Sequence, residues 1–187
     1  IRHAGDEIGN SNELNGVTLA GVGSGTILHH IEIYCNFDDG IEWFGGTVNV
    51  RHAVLTNNDD DDIDLDEGYK GNIQFAIVRK DPEKSGPTGS NDPRGIEANS
   101  SDADFVPETD AALANILILG SAVNNSTTST AGQQPGMRLR GAVNVAIYNS
   151  AVRDFDTGCI RIDDANVNGD GSVIVPSFVT IVNTIGE

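Results

Sequence analysis

The chain has 187 residues, with 28 Asp+Glu against 11 Lys+Arg, a formal charge of −17 and a pI near 4.3. That field repels phosphate and argues against a nucleic-acid partner, and no apolar run reaches the roughly 18 residues that read as a membrane-spanning helix. Gly supplies 22 residues, and with abundant Asn and Asp it favours turns and short strands over helices.

Taken in chain order, one tetrad recurs: Gly16-Val17-Thr18-Leu19, Gly40-Ile41-Glu42-Trp43, Asp62-Ile63-Asp64-Leu65, Gly95-Ile96-Glu97-Ala98, Gly136-Met137-Arg138-Leu139 and Cys159-Ile160-Arg161-Ile162. The anchors Val17, Ile41, Ile63, Ile96, Met137 and Ile160 are 24, 22, 33, 41 and 23 residues apart. Three gaps share one period and two carry insertions. A second strand-like pattern precedes the tetrads: His30–Ile33, His52–Leu55, Phe75–Val78, Leu119–Val123 and Tyr148–Val152. A third follows them, at Gly46–Val50, Gly71–Ile73 and Gly141–Val145.

Three short strands per ~23 residues, joined by Gly/Asn/Asp turns, make one coil of a parallel β-solenoid. The predicted fold is all-β: a right-handed parallel β-helix of about six coils of 22–24 residues, occupying 1–187 as one domain. A propeller blade needs about 40 residues, and a left-handed hexapeptide helix needs a six-residue period. Neither is present. Alternation points Val17/Leu19, Ile41/Trp43, Ile63/Leu65, Ile96/Ala98, Met137/Leu139 and Ile160/Ile162 inward. It leaves Glu42/Phe44, Asp64/Asp66, Glu97/Asn99, Arg138/Arg140 and Arg161/Asp163 facing solvent.

Asp81 to Arg94, Ser100 to Ala114 and Asn124 to Pro135 break the period and read as surface loops that wall a groove, with a helical turn at Glu108–Leu113. Ile1 starts mid-coil and Phe178–Asn183 reads as the first strand of another coil, so the expectation is a segment of a longer solenoid that packs end to end with further coils or subunits. Cys35 and Cys159 match no metal pattern and are expected as unpaired, mostly buried thiols.

Arg2-His3-Ala4-Gly5, the run Glu13 to Thr26, Asp38 to Val50 and Asp60 to Tyr69 resemble secreted bacterial surface β-helix proteins, of the lipoprotein and type IX secretion cargo type. The likeness is close from Ile1 to about Lys80 and looser through Arg138 to Asp163. It implies a right-handed β-helix on the outer cell surface or secreted, and it carries over no catalytic residue.

The outward column Glu42, Asp64, Glu97 places carboxylates on successive coils, and Asp38, Asp39, Asp60, Asp61 and Asp62 lie in the turns ahead of it. Two like charges ~5 Å apart repel by roughly 3 kcal/mol at an effective dielectric near 20, so a cation or bound protons are required. Calcium, with about 6–8 oxygen ligands in loose geometry, suits such a stack. Asp39, Asp61 and Asp62 are the first ligand candidates, then Asp38, Asp60 and Asp64. The competing reading is a solvated acidic face.

Along the same column the sign reverses at Arg138 and Arg161. The functional expectation is a calcium-stabilised scaffold or adhesion module with a glycan or cell-surface partner and no catalysis. The alternative is a polysaccharide-active enzyme on acidic glycans, a calcium-assisted lyase or a glycoside hydrolase, whose candidate groups are Glu42, Asp64, Glu97, Arg138 and Arg161. Glu97 beside Arg138 is equally an ordinary cross-strand ion pair. His30 and His52 occupy equivalent places in neighbouring coils, where their rings stack or bridge a metal.

Overall fold

A computed structural model describes residues 1–5, 8–9, 14–80, 93–100, 106–120, 134–155, 157–163 and 177–187. The strands are β1 (Val17–Ala20), β2 (Ile27–Tyr34), β3 (Ile41–Phe44), β4 (Asn49–Thr56), β5 (Ile63–Asp66), β6 (Asn72–Arg79) and β7 (Ile96–Ala98). They continue as β8 (Asp110–Leu119), β9 (Met137–Leu139), β10 (Asn144–Tyr148), β11 (Ala151–Arg153), β12 (Ile160–Ile162), β13 (Phe178–Val182) and β14 (Ile185–Gly186). All named strand pairs are parallel.

The short tetrad strands form one sheet in the order β1-β3-β5-β7-β9-β12. The longer strands form a second, β13-β10-β8-β6-β4-β2, with β11 pairing β8 and β14. Each coil crosses both sheets once, so the chain winds as a right-handed parallel β-helix. The register aligns Val17 with Ile41, Ile41 with Ile63, Ile63 with Ile96, Ile96 with Met137 and Met137 with Ile160. Insertions between tetrads therefore leave the pairing unchanged.

Two details differ from the sequence reading. The second and third strand patterns of a coil fuse into one strand of eight to ten residues in β2, β4, β6 and β8, and separate only at β10 and β11. The fused strand bends where one residue takes a left-handed conformation: His30, His52, Phe75 and Asn115, with φ of 55–59°. Secondly, Phe178–Asn183 does not open a coil. Its strand β13 lies on β10 and belongs to the second sheet.

The inward side chains form one continuous core. Ile41, Trp43, Ile63, Leu65, Ile96, Ala98, Met137 and Leu139 from the first sheet cluster with Ile33, Leu55, Val78, Leu113, Ile118 and Ile147 from the second. Each large aliphatic side chain so buried contributes roughly 1.5–3 kcal/mol. Gly46 sits at the turn between β3 and β4 with φ of 88°, and a Cβ there would lie 2.6 Å from the backbone N and O of Val22. Only glycine fits that approach.

Tyr69 is fully buried, its ring 5.4 Å from Trp43 and its hydroxyl donating to the Val48 carbonyl at 2.7 Å. Tyr69→Phe leaves that carbonyl without the bond and is expected to cost about 1–3 kcal/mol, measured by urea denaturation.

The helical turn expected at Glu108–Leu113 is instead the start of β8, in register with β10 from Asp110 onward. Ala111 and Leu113 are buried there, and that burial outweighs the helical preference of the Ala/Leu run. Most of the expected loop walls, at 81–92, 101–105 and 124–133, lie outside the described residues. Cys35 and Cys159 are unpaired, as expected, and half-buried rather than mostly buried.

Candidate metal centre

The outward face of the tetrad sheet is a grid set by the parallel register. Glu42 lies beside Asp64, Asp64 beside Glu97, Glu97 beside Arg138 and Arg138 beside Arg161. Two residues further along the strand, Phe44 is in register with Asp66. Ahead of the strands, backbone bonds from Gly40 N to the Asp61 carbonyl and from Asp62 N to the Arg94 carbonyl carry the same stacking into the turns. The column predicted from the repeat is therefore present in full.

Its exposure is not as predicted. Asp64 and Glu97 are 8 % and 6 % exposed, and Asp38, Asp39, Asp61, Asp62 and Asn99 are buried too. The charged side chains bury one another against the sheet, which alternation alone does not reveal.

Buried charge demands partners, and Arg94, Arg138, Arg140 and Lys80 supply many of them. Arg94 donates from Nε and Nη2 to the two Asp61 carboxylate oxygens at 3.1 Å each and reaches Glu97 at 3.2 Å. Arg140 makes a forked contact with Glu97 at 2.8 and 3.2 Å, and Arg138 joins Glu97 to Asp163. Burial opposes ionisation of Glu97, but the Arg140 hydrogen bonds and the surrounding guanidinium charges outweigh it and hold its carboxyl below the ordinary range. Lys80 neutralises Asp62 at 2.8 Å, both side chains being almost fully buried. Arg161 pairs with Asp163 at 2.7 Å on the surface.

No ion pair reaches Asp39, Glu42, Asp64 or Asp66 among the described residues. Burial, followed by the neighbouring carboxylates, raises Asp39 and Asp64 well above the usual range. Burial lifts Asp66 and Glu42 to about 7, the latter despite a hydrogen bond from the Asn15 amide. Burial likewise raises Asp61 to about 6 although Arg94 opposes it. The Oδ1 atom of Asp64 is buried without any hydrogen-bond partner.

Carboxylate oxygens meet here in three groups, each within 4.8 Å: Asp38/Asp39/Asp60, Asp39/Asp61/Asp64 and Glu42/Asp64/Asp66. Oxygens that close can share one calcium ion, whose bonds are about 2.3–2.6 Å long. Asp64 belongs to two of the groups and has a buried oxygen without a hydrogen-bond partner, so the donor set fits a hard divalent cation. Five of the six predicted ligands fall in these groups. Asp62 does not, because its oxygens are held by Lys80 and by the Asn58 amide at 2.7 Å.

Sequence reasoning missed Lys80 and Arg94, and it did not rank Asp66 as a ligand. Arg94 was visible in one respect: it precedes its anchor Ile96 by two residues, as Asp39 and Asp61 precede theirs. Arg138 and Arg161, proposed as groove cations, are both engaged by Asp163. Trp43 is core, as predicted, and Phe44, expected to face solvent, is half-buried.

A family profile described as "Pectate-lyase like beta helix domain" matches residues 1–184. Comparison with curated proteins and with solved structures returns no match. With a profile matching nearly the whole length and parallel coils that bear it out, the chain belongs to the pectate-lyase-like β-helix domain family.

Proposed function

We propose that the chain is an extracellular or cell-surface β-helix scaffold or adhesion module, with a glycan or cell-surface partner, whose acidic face holds calcium. The observation that carries this reading is Asp64: buried, lacking a partner on Oδ1, and shared by two groups of three converging carboxylates. A bound Ca2+ would supply the close positive charge that no ion pair among the described residues supplies to Asp39, Glu42, Asp64 and Asp66. Asp61 would shift part of its contact from Arg94. The non-catalytic reading is favoured because the described arginines of this face are locked in carboxylate pairs, leaving none poised as a base. Packing end to end is supported by apolar side chains exposed on the outer coils, Ile27 in β2 and Phe178 and Ile185 in β13 and β14.

Calcium titration tests the reading. At Ca2+ one hundredfold over Kd the fold gains about 2.7 kcal/mol, which for a domain of this size raises Tm by about 5–10 °C over the EDTA-treated protein. Asp64→Asn is expected to abolish most of that shift. A calcium-dependent rise below ~2 °C, or an unaltered response in the variant, overturns the site.

One observation favours catalysis as the second reading. Glu42 is half-buried with its carboxyl pushed to about 7, and it has an oxygen within 4.8 Å of Asp64. This pair has the makings of the proton donor and second carboxylate of a glycoside hydrolase. Assays for reducing ends and for unsaturated uronate products over acidic glycans separate it from the scaffold, and activity lost in Glu42→Gln would establish the enzyme.

A further inference from the structure

The bend of the second sheet carries its own columns. His30, His52, Phe75, Asn115, Asn149 and Asn183 stack coil on coil in register with the strands, each at φ between 48° and 59°. Two residues further on, Glu32, Val54, Ile77, Leu117, Ala151 and Ile185 form a second column in register. Side chains of the two columns wall a groove parallel to the winding axis. It encloses about 610 Å³ over the early coils and about 420 Å³ over the late ones, and the two stretches meet at Asn115 and Leu117. Five rung steps of ~4.8 Å make it about 24 Å long. The His30 and His52 rings stack, centroids 4.6 Å apart and planes inclined by 30°, and Phe75 continues the stack 5.1 Å from His52. Stacking is the arrangement that their equivalent places produce. The converging metal-ligand groups among the described residues are all carboxylates of the tetrad sheet.

The walls of the groove differ. One is apolar, with Val54 and Ile77 exposed along it. The other is aromatic as far as Phe75 and then carries a carboxamide on three successive rungs. The side-chain amides of Asn115, Asn149 and Asn183 make no hydrogen bond among the described residues. Outward asparagines elsewhere on this sheet bond across the rungs, Asn72 to Asn49 and Asn144 to Asp110. Glu32 is the one carboxylate in the lining, and no Lys or Arg lines it. A polyanion finds no basic partner here and is repelled by the chain's charge of −17, whereas a polycation is drawn to the acidic face of the other sheet. The complement of this groove is therefore an uncharged chain. Its hydrogen-bonding groups must recur at the rung spacing, and a 1,4-linked pyranose polymer advances about one rung per sugar. Ring C–H faces suit Val54, Ile77 and Leu117, and hydroxyl edges suit amides that both donate and accept. An extended peptide advances ~3.4 Å per residue and falls out of step with the rungs. We propose that the groove seats a neutral 1,4-linked polysaccharide running along the winding axis, about one sugar per coil. This gives the glycan partner proposed above a chemical class and a seat, rests on that reading for the partner being a glycan, and makes no use of the calcium face.

The test is titration calorimetry of the full chain in EDTA with cellohexaose, xylohexaose and mannohexaose, and with oligogalacturonate as the anionic control. At least one neutral hexasaccharide is expected to bind, and the trisaccharide of the same sugar to bind more weakly. Asn115→Gly and Asn149→Gly each delete one amide and keep the bend, because glycine adopts positive φ readily. Each is expected to weaken binding about fivefold. Ile77→Glu places a carboxylate where Glu32 stands in its own coil and is expected to weaken binding at least as much. Asp64→Asn is expected to change nothing. Unaltered affinity in both glycine variants, or preference for oligogalacturonate, overturns the proposal. Binding that requires added Ca2+ or is lost in Asp64→Asn keeps a glycan partner but moves it to the acidic face, which overturns this site alone. Absence of binding to neutral and anionic chains alike overturns the glycan reading together with the site. A dimer in sedimentation that dissociates in Ile77→Glu gives the groove to a second copy and likewise overturns the proposal.

Discussion

Lys80→Ala is expected to destabilise the fold by about 3–5 kcal/mol, the loss associated with stranding one member of a buried ion pair. The Lys80 ammonium lies 2.8 Å from Asp62 and also donates to the backbone carbonyls of Asn58 and Asp60. Burial already pushes the Asp62 carboxyl up, with Lys80 the main restraint on it. Asp62 stands directly before its anchor, where the neighbouring coils place Gly16, Gly40, Gly95 and Gly136. Lys80 continues the rung of Cys35 and Asn57 in the preceding coils. The pair is thus an insertion of two compensating charges into positions that are neutral in the preceding coils. The double substitution Asp62→Gly with Lys80→Asn is expected to recover most of the loss. Urea denaturation of the two single variants and the double one checks this, and equal destabilisation by Lys80→Ala and the double would refute it.

In EDTA, Tm is expected to fall as pH rises from about 5 to about 8. Asp39 and Asp64 are raised well above ordinary aspartates, while Asp61 reaches about 6 and Glu42 and Asp66 about 7. The same groups titrate near 4 in the unfolded chain. Between these limits the folded state binds more protons than the unfolded one, and stability drops with rising pH by about 1.4 kcal/mol per unit for each extra proton. Glu97 and Asp163 are lowered and act oppositely, stabilising the fold above about pH 4 and withdrawing that support below it. Metal-free stability therefore peaks in mild acid. In the proposed site calcium would replace the protons, so its effect on Tm should be larger at pH 8 than at pH 5, and Asp64→Asn should raise the metal-free Tm at pH 8. A Tm in EDTA that climbs steadily to pH 8 would contradict the arrangement.

The coil register was legible because the anchors and their alternation recur with a period, and all six tetrads pair as the spacing implies. The column Glu42, Asp64, Glu97, Arg138, Arg161 followed from that register alone. What the sequence concealed is how deeply the column is buried. That depends on Arg94 and Arg140 folding back over Glu97, contacts set by side-chain reach rather than by period. Lys80 was concealed for the same reason. The bend in the long strands was hidden differently: His52 and Phe75 carry no glycine-like signal, and a left-handed residue is marked in sequence mainly when it is Gly, Asn or Asp. The strand at Asp110–Leu119 was masked by local preference, which the pairing with β6 and β10 overrides.

The grid of outward charge is unequal along the winding direction, with Asp39, Glu42 and Asp64 on the early coils and Arg138 and Arg161 on the late ones. This face consequently has a dipole parallel to the winding axis. Near an anionic surface it experiences a torque that turns the late coils inward and the carboxylates outward, even while the net charge of −17 resists approach. Calcium, if held among the early coils as proposed, would weaken that polarity and make the chain's preferred heading a function of the ion content of its medium.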